Sequence, residues 1–238
     1  MAKRQNADVI RRRIGSDLLR LEQIIQRSSG DVIINPEAIK SAVNIAQKTR
    51  GDSQWEYSID NLQMRVDLPQ NSLPRSCIGP LHLTLDLEVG GECSGLEDGD
   101  LKHLILNLSM SVGEENFCAW HFDRHIGEEE SVDVHPLYHF QHGGHAMEVH
   151  DGDLGKSLLI SAPRLAFPPM DAILAIDFVI SNFSGRYWRE LREDPSYINL
   201  LKGSQEFFWK PYLKRVASWW DPGPKDSDSI QSLFPHLA

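Results

Sequence analysis

Leu81-His82-Leu83-Thr84-Leu85-Asp86-Leu87 carries an apolar side chain at every second position, and Leu104-Ile105-Leu106-Asn107-Leu108-Ser109-Met110 repeats the pattern with one exception. A period of two marks a strand with one face buried and the other wet, because successive Cβ atoms point to opposite sides of a pleated backbone. Glu56-Tyr57-Ser58-Ile59 alternates in the same way, and loops rich in Gly, Pro, Asp and Ser separate the runs. One-sided burial with short connections predicts an antiparallel meander. Residues 117–126 and 133–142 extend it as a hairpin around the acidic loop Gly127-Glu128-Glu129-Glu130-Ser131.

On both sides of this block the period changes. From Val9, the residues Ile10, Ile14, Leu18, Leu21 and Ile25 recur at spacings of three and four and line one helical face, with Arg11, Arg12 and Arg13 largely off it. Ser28-Ser29-Gly30 ends that helix. Asn35-Pro36-Glu37 supplies a cap, a proline at the first helical position and an early acid for a second helix to about Thr49. Beyond Pro168-Pro169, Asp171 caps a helical segment through Phe183, and another helical stretch runs from Pro195 toward Trp220 with a kink at Pro211. Phe207, Phe208, Trp209, Tyr212, Trp219 and Trp220 are read as packing on the sheet. The expected fold is α+β: an antiparallel sheet of about five strands covered by N-terminal and C-terminal helices. Residues 1–220 form one domain with a helical pair at about 5–50, and residues 221–238 form a loose tail.

Composition narrows the function classes. The 238 residues are 41% hydrophobic and 24% charged, which suits a globular chain with a substantial core. The start lacks a signal-peptide h-region, and the longest apolar run, Ala172 to Ile180, is broken by Asp177 and is too short to span a bilayer, so a cytoplasmic protein with no membrane partner is expected. Cys77, Cys93 and Cys118 are odd in number and lack CxxC spacing, which disfavours a disulfide framework and a cysteine-based zinc site. The formal charge of −10 hides an excess of +4 in residues 1–27, and the acidic remainder disfavours nucleic acid except weakly through the basic N-terminal helix. No GxSxG, P-loop, GxGxxG or HExxH pattern occurs.

Seven of the ten histidines fall between His121 and His150. A hairpin register in which paired residue numbers sum to 260 sets His121 opposite His139, Asp123 opposite Leu137 and His125 opposite His135. These four histidines and Asp123 then share one face, while Trp120, Phe122, Tyr138 and Phe140 take the other. Such a face suits Zn, Fe, Ni or Mn. Pairs separated by four residues along a strand lie roughly 13 Å apart, so one ion takes at most His121 with His139, or His125 with His135, plus Asp123 or a loop histidine from His142-Gly-Gly-His145. Asp123 or Glu148 is the candidate ligand or general base. Cys118 and His142 also share a parity, which allows a thiol–imidazole pair on the aromatic side.

The order of helices, meander, the turn Pro163-Arg-Leu-Ala-Phe-Pro168-Pro169 and helices resembles the ubiquitin-conjugating and RWD type of α+β fold. Here His135-Pro136 precedes the proline turn and no cysteine follows Cys118, so the resemblance implies architecture and a protein-binding module and excludes thioester transfer by that scheme. The functional expectation is a cytosolic, non-catalytic adaptor acting through a protein partner. The alternative is a divalent-metal protein, extending to a metal-dependent hydrolase, using His121, Asp123, His125, His135 and His139.

Overall fold

The computed structural model describes residues 7–28, 31–48, 53–70, 72, 75–93, 100–113, 116–124, 135–143, 164–221, 223 and 233–235. The alternating runs become β1 (Gln54–Asp67), β2 (Pro80–Glu92), β3 (Asp100–Val112), β4 (Asn116–Arg124) and β5 (Tyr138–His142), followed by the short β6 (Leu165–Ala166). All neighbours are antiparallel and lie in sequence order, which is the expected meander with one two-residue strand added. The N-terminal pair is α1 (Ala7–Arg27) and α2 (Glu37–Lys48). After the sheet come α3 (Ala172–Phe183), α4 (Gly185–Glu193), α5 (Pro195–Ser204) and α6 (Lys210–Ala217).

The helices close over the apolar face of the sheet. Leu83, Leu85 and Leu87 are at most 1% exposed, and Trp55 of β1 meets Phe207 and Phe208 edge-on at 6.3 and 6.2 Å. Farther along, Phe140 meets Phe178, Trp120 meets Phe183 and Tyr138 meets Tyr212. A side chain the size of Trp55 removes ~200 Å² from water, roughly 5 kcal/mol of burial energy before the entropy of ordering is set against it. Leu233, in the C-terminal segment, is also in this core at 1% exposure. The other face is polar, and Glu56, His82, Glu88, Ile105 and Asn107 are exposed on it. Among the described residues no helix is long and apolar enough to cross a membrane.

Several local features depart from the pattern read in the sequence. Arg11 is buried: its Nε donates to the Gln54 carbonyl at 3.0 Å and Nη1 to Asp8 at 2.7 Å, which ties α1 to the start of β1. Asn35 turns its amide toward β1, donating to the Asn61 carbonyl at 2.8 Å and accepting from Gln63 N at 2.7 Å. Pro211 has no N–H and its ring crowds the preceding turn, and the chain answers with a π-helical turn at Gln205–Trp209 immediately before α6. The helix α4 was not anticipated, although Tyr187 and Leu191, four residues apart, form its buried stripe.

Candidate functional site

The register of β4 and β5 decides which histidines meet. Trp120 lies opposite His142, His121 opposite Gln141, Phe122 opposite Phe140, Asp123 opposite His139 and Arg124 opposite Tyr138. The paired numbers sum to 262, a slip of two from the expected 260. A slip of two keeps each side chain on its face, so His121 and His139 stay apart from the aromatics, but the partners change. The 260 register would place Pro136 opposite Arg124, and β6 pairs with the far side of β5 only at His139 and Phe140. The strand begins at Tyr138 instead, and Pro136 lies before it with its carbonyl facing back.

The slip puts Asp123 directly across from His139 and leaves His121 diagonal to it. His139 Nε2 lies 3.0 Å from Asp123 Oδ1, and His121 Nε2 lies 3.9 Å from Asp123 Oδ2. One ligand atom from each of the three residues falls within 4.8 Å of the others. The pleat explains the convergence: His121 and Asp123 are two apart on β4, so both point to the polar face, and β5 brings His139 alongside. The site is graded in depth, since the side chains of His139, His121 and Asp123 are 2%, 22% and 32% exposed.

His139 is held by more than its strand. Its Nδ1 is 3.2 Å from the Pro136 carbonyl, and since a carbonyl only accepts, Nδ1 carries the proton and donates. That leaves Nε2 as the atom facing Asp123, an arrangement in which a backbone carbonyl fixes tautomer and ring orientation for ligation. Nε2 and Asp123 Oδ1 face each other at 3.0 Å. A cation bound between them would join an imidazole nitrogen and a carboxylate oxygen from neighbouring strands.

The remaining candidates divide. The His135 ring packs edge-on against His139 with centroids 4.5 Å apart, so it backs the site from the approach to β5, not from an opposing strand position. His125, His145 and Glu148 lie outside the described residues. His142 points to the aromatic side, where its Nε2 is 3.2 Å from Cys118 Sγ, and so does not complete the His121, Asp123 and His139 set. In the sequence the relevant signal was His121-Phe122-Asp123, two ligands on one strand face. Which histidine joined them depended on the register of β5 against β4.

On the same polar face, His103 Nε2 lies 3.2 Å from Glu88, a pairing that sequence reading missed. Glu88, Ile105, Asp123 and His139 form one row across β2 to β5. In the N-terminal helix, Arg13 donates to the Gly203 carbonyl at 2.9 Å and lies over the Phe207 ring, so part of the basic surface read in the sequence serves the fold. Comparison with protein-family models, with curated proteins and with solved structures finds no match to this chain, so the resemblance to ubiquitin-conjugating folds stands on element order alone.

Proposed function

We propose that the chain binds one divalent transition-metal ion through His121, Asp123 and His139. The observation that carries the reading is the approach of three ligand atoms from two adjacent strands to within 4.8 Å of one another. An ion ~2.1 Å from each ligand in tetrahedral geometry sets ligand atoms ~3.4 Å apart, and each imidazole approaches an Asp123 oxygen on that scale, His139 Nε2 at 3.0 Å from Oδ1 and His121 Nε2 at 3.9 Å from Oδ2. Two imidazoles and one carboxylate suit Zn, Fe, Mn or Ni. Three protein ligands leave a coordination position for water, whose proton the ion would loosen, and metal-dependent hydrolysis is the activity this reading extends to. The test is elemental analysis of untagged, dialysed protein before and after addition of Zn, Mn, Fe or Ni. Near-stoichiometric metal that is lost in His139→Ala supports the reading. Background metal after addition overturns it.

A second reading, a cytosolic adaptor with a protein partner, is favoured by a different observation. Leu213 and Trp220 are 50% and 71% exposed at the C-terminal end of the helical layer, a cost in water that a partner would relieve. Under it, Leu213→Ser with Trp220→Ser abolishes association while metal content is unchanged. Association that persists in this double variant sinks it.

A further inference from the structure

We propose that Cys118 and His142 form a base-activated thiol on the aromatic side of β4 and β5, and that Cys118 is a site of reversible modification by small disulfides. The pair stands apart from the His121, Asp123 and His139 site, because even-numbered positions of this hairpin face the helices and odd-numbered ones the polar side. Cys118 Sγ and His142 Nε2 are 3.2 Å apart, within reach of a hydrogen bond from thiol to imidazole.

The local structure explains how they meet. Ladder pairing of β4 with β5 ends at Trp120 opposite His142, so Cys118 sits one diagonal step beyond the last pair. Gly143, at φ 90, then turns the chain while its N–H donates to the Ala119 carbonyl at 2.7 Å. That conformation suits glycine, and it fixes the end of β5 from which His142 reaches back. Trp120, between the two on β4, packs on Phe140 and Phe183 at 5.3 Å each and gives the pair an apolar wall. Cys118 is half-buried and His142 is exposed, so a small reagent can approach from the imidazole side.

Burial pushes the Cys118 thiol up, with the Trp120 side chain working the other way, so no standing thiolate waits here. The proton must leave as attack occurs, and His142 Nε2 is the group placed to take it. In the balanced step, Cys118 Sγ bonds to one sulfur of a disulfide as the disulfide S–S bond breaks. The second sulfur departs as a thiolate, and the Cys118 proton passes to His142. The external disulfide is the oxidant, and reduction by any small thiol reverses the step.

The test uses the full chain and dithiobis-nitrobenzoate, whose released thiolate is coloured, with mass spectrometry assigning modification to the Cys118 peptide. We expect His142→Ala to slow Cys118 modification by at least about tenfold, with the thermal midpoint unchanged and free imidazole restoring part of the rate. His142→Gln serves as a second variant should His142→Ala disturb folding. A Cys118 peptide that stays unmodified in the wild type overturns the proposal. So does a rate indifferent to His142 or to added imidazole.

Discussion

Asp171→Asn should make the protein more stable at pH 8 and leave it nearly unchanged at pH 4. Asp171 is 7% exposed and caps α3 by accepting from Leu174 N at 2.9 Å, while Ser204 Oγ donates to its other oxygen at 2.7 Å. It faces a small cavity shared with Arg13 and Asp17 of α1 and Tyr57 of β1. Burial pushes its carboxyl from 3.8 up to about 6, with Asp17 adding to the rise and the Leu174, Ser204 and Arg13 contacts opposing it. A rise of about two units corresponds to about 3 kcal/mol. The sign follows from which state holds the proton. With the folded value above the unfolded one, the stabilising proton is fully present below about pH 4 and is lost as pH rises through about 6. Asparagine keeps the capping oxygen and cannot ionise. Urea unfolding of both proteins from pH 4 to 8, compared pairwise so that other titrating groups cancel, should show a difference growing by roughly 3 kcal/mol in favour of Asn. A difference independent of pH, or one favouring Asp at pH 8, would refute the reasoning.

Other perturbations test the frame around the site. Asp177 of α3 accepts from Trp188 Nε1 at 3.0 Å, Arg192 Nη2 at 2.7 Å and Tyr197 Oη at 3.2 Å, so Asp177→Ala should cost about 2–4 kcal/mol in chemical denaturation. Asn61 sits at φ 54 where β1 shifts register between Ile59 and Leu62. Asn61→Val should therefore cost about 1–2 kcal/mol, whereas Asn61→Gly should be near neutral by thermal melting. Trp55→Ala should cost about 3–5 kcal/mol, because its contacts with Phe207 and Phe208 hold the π-helical turn against β1.

The parts of the fold that hydrophobic periodicity controls were legible in the chain. Leu81 to Leu87 placed β2 and its buried face, and the staggered Ile and Leu residues after Val9 placed α1. Even the parity of the hairpin was readable, because mixing Trp120 and Phe140 with the imidazoles would expose aromatics. The register within that parity was not. It is set by the tertiary pairing of β4 with β5, since both registers keep the same faces, and the two-residue β6, Leu165 and Ala166, that lines β5 was equally hidden. No periodicity of so short a segment announces a strand. Arg11 was misplaced for a related reason: a charged residue at the margin of an apolar stripe gives no sign that the Gln54 carbonyl waits across the interface. At the site, ligand types were legible one strand at a time, and their convergence required the tertiary pairing of Asp123 with His139.

The 3.0 Å approach of His139 Nε2 to Asp123 Oδ1 offers the most direct test of the metal reading. Zinc should be titrated calorimetrically into the wild type, His139→Ala and Asp123→Asn at pH 7, in buffers of differing ionisation heat. The account predicts one zinc per chain with protons released on binding, and loss of that binding in both variants with the fold intact by circular dichroism. Absence of binding to the wild type, or binding that is undiminished in His139→Ala, would contradict it.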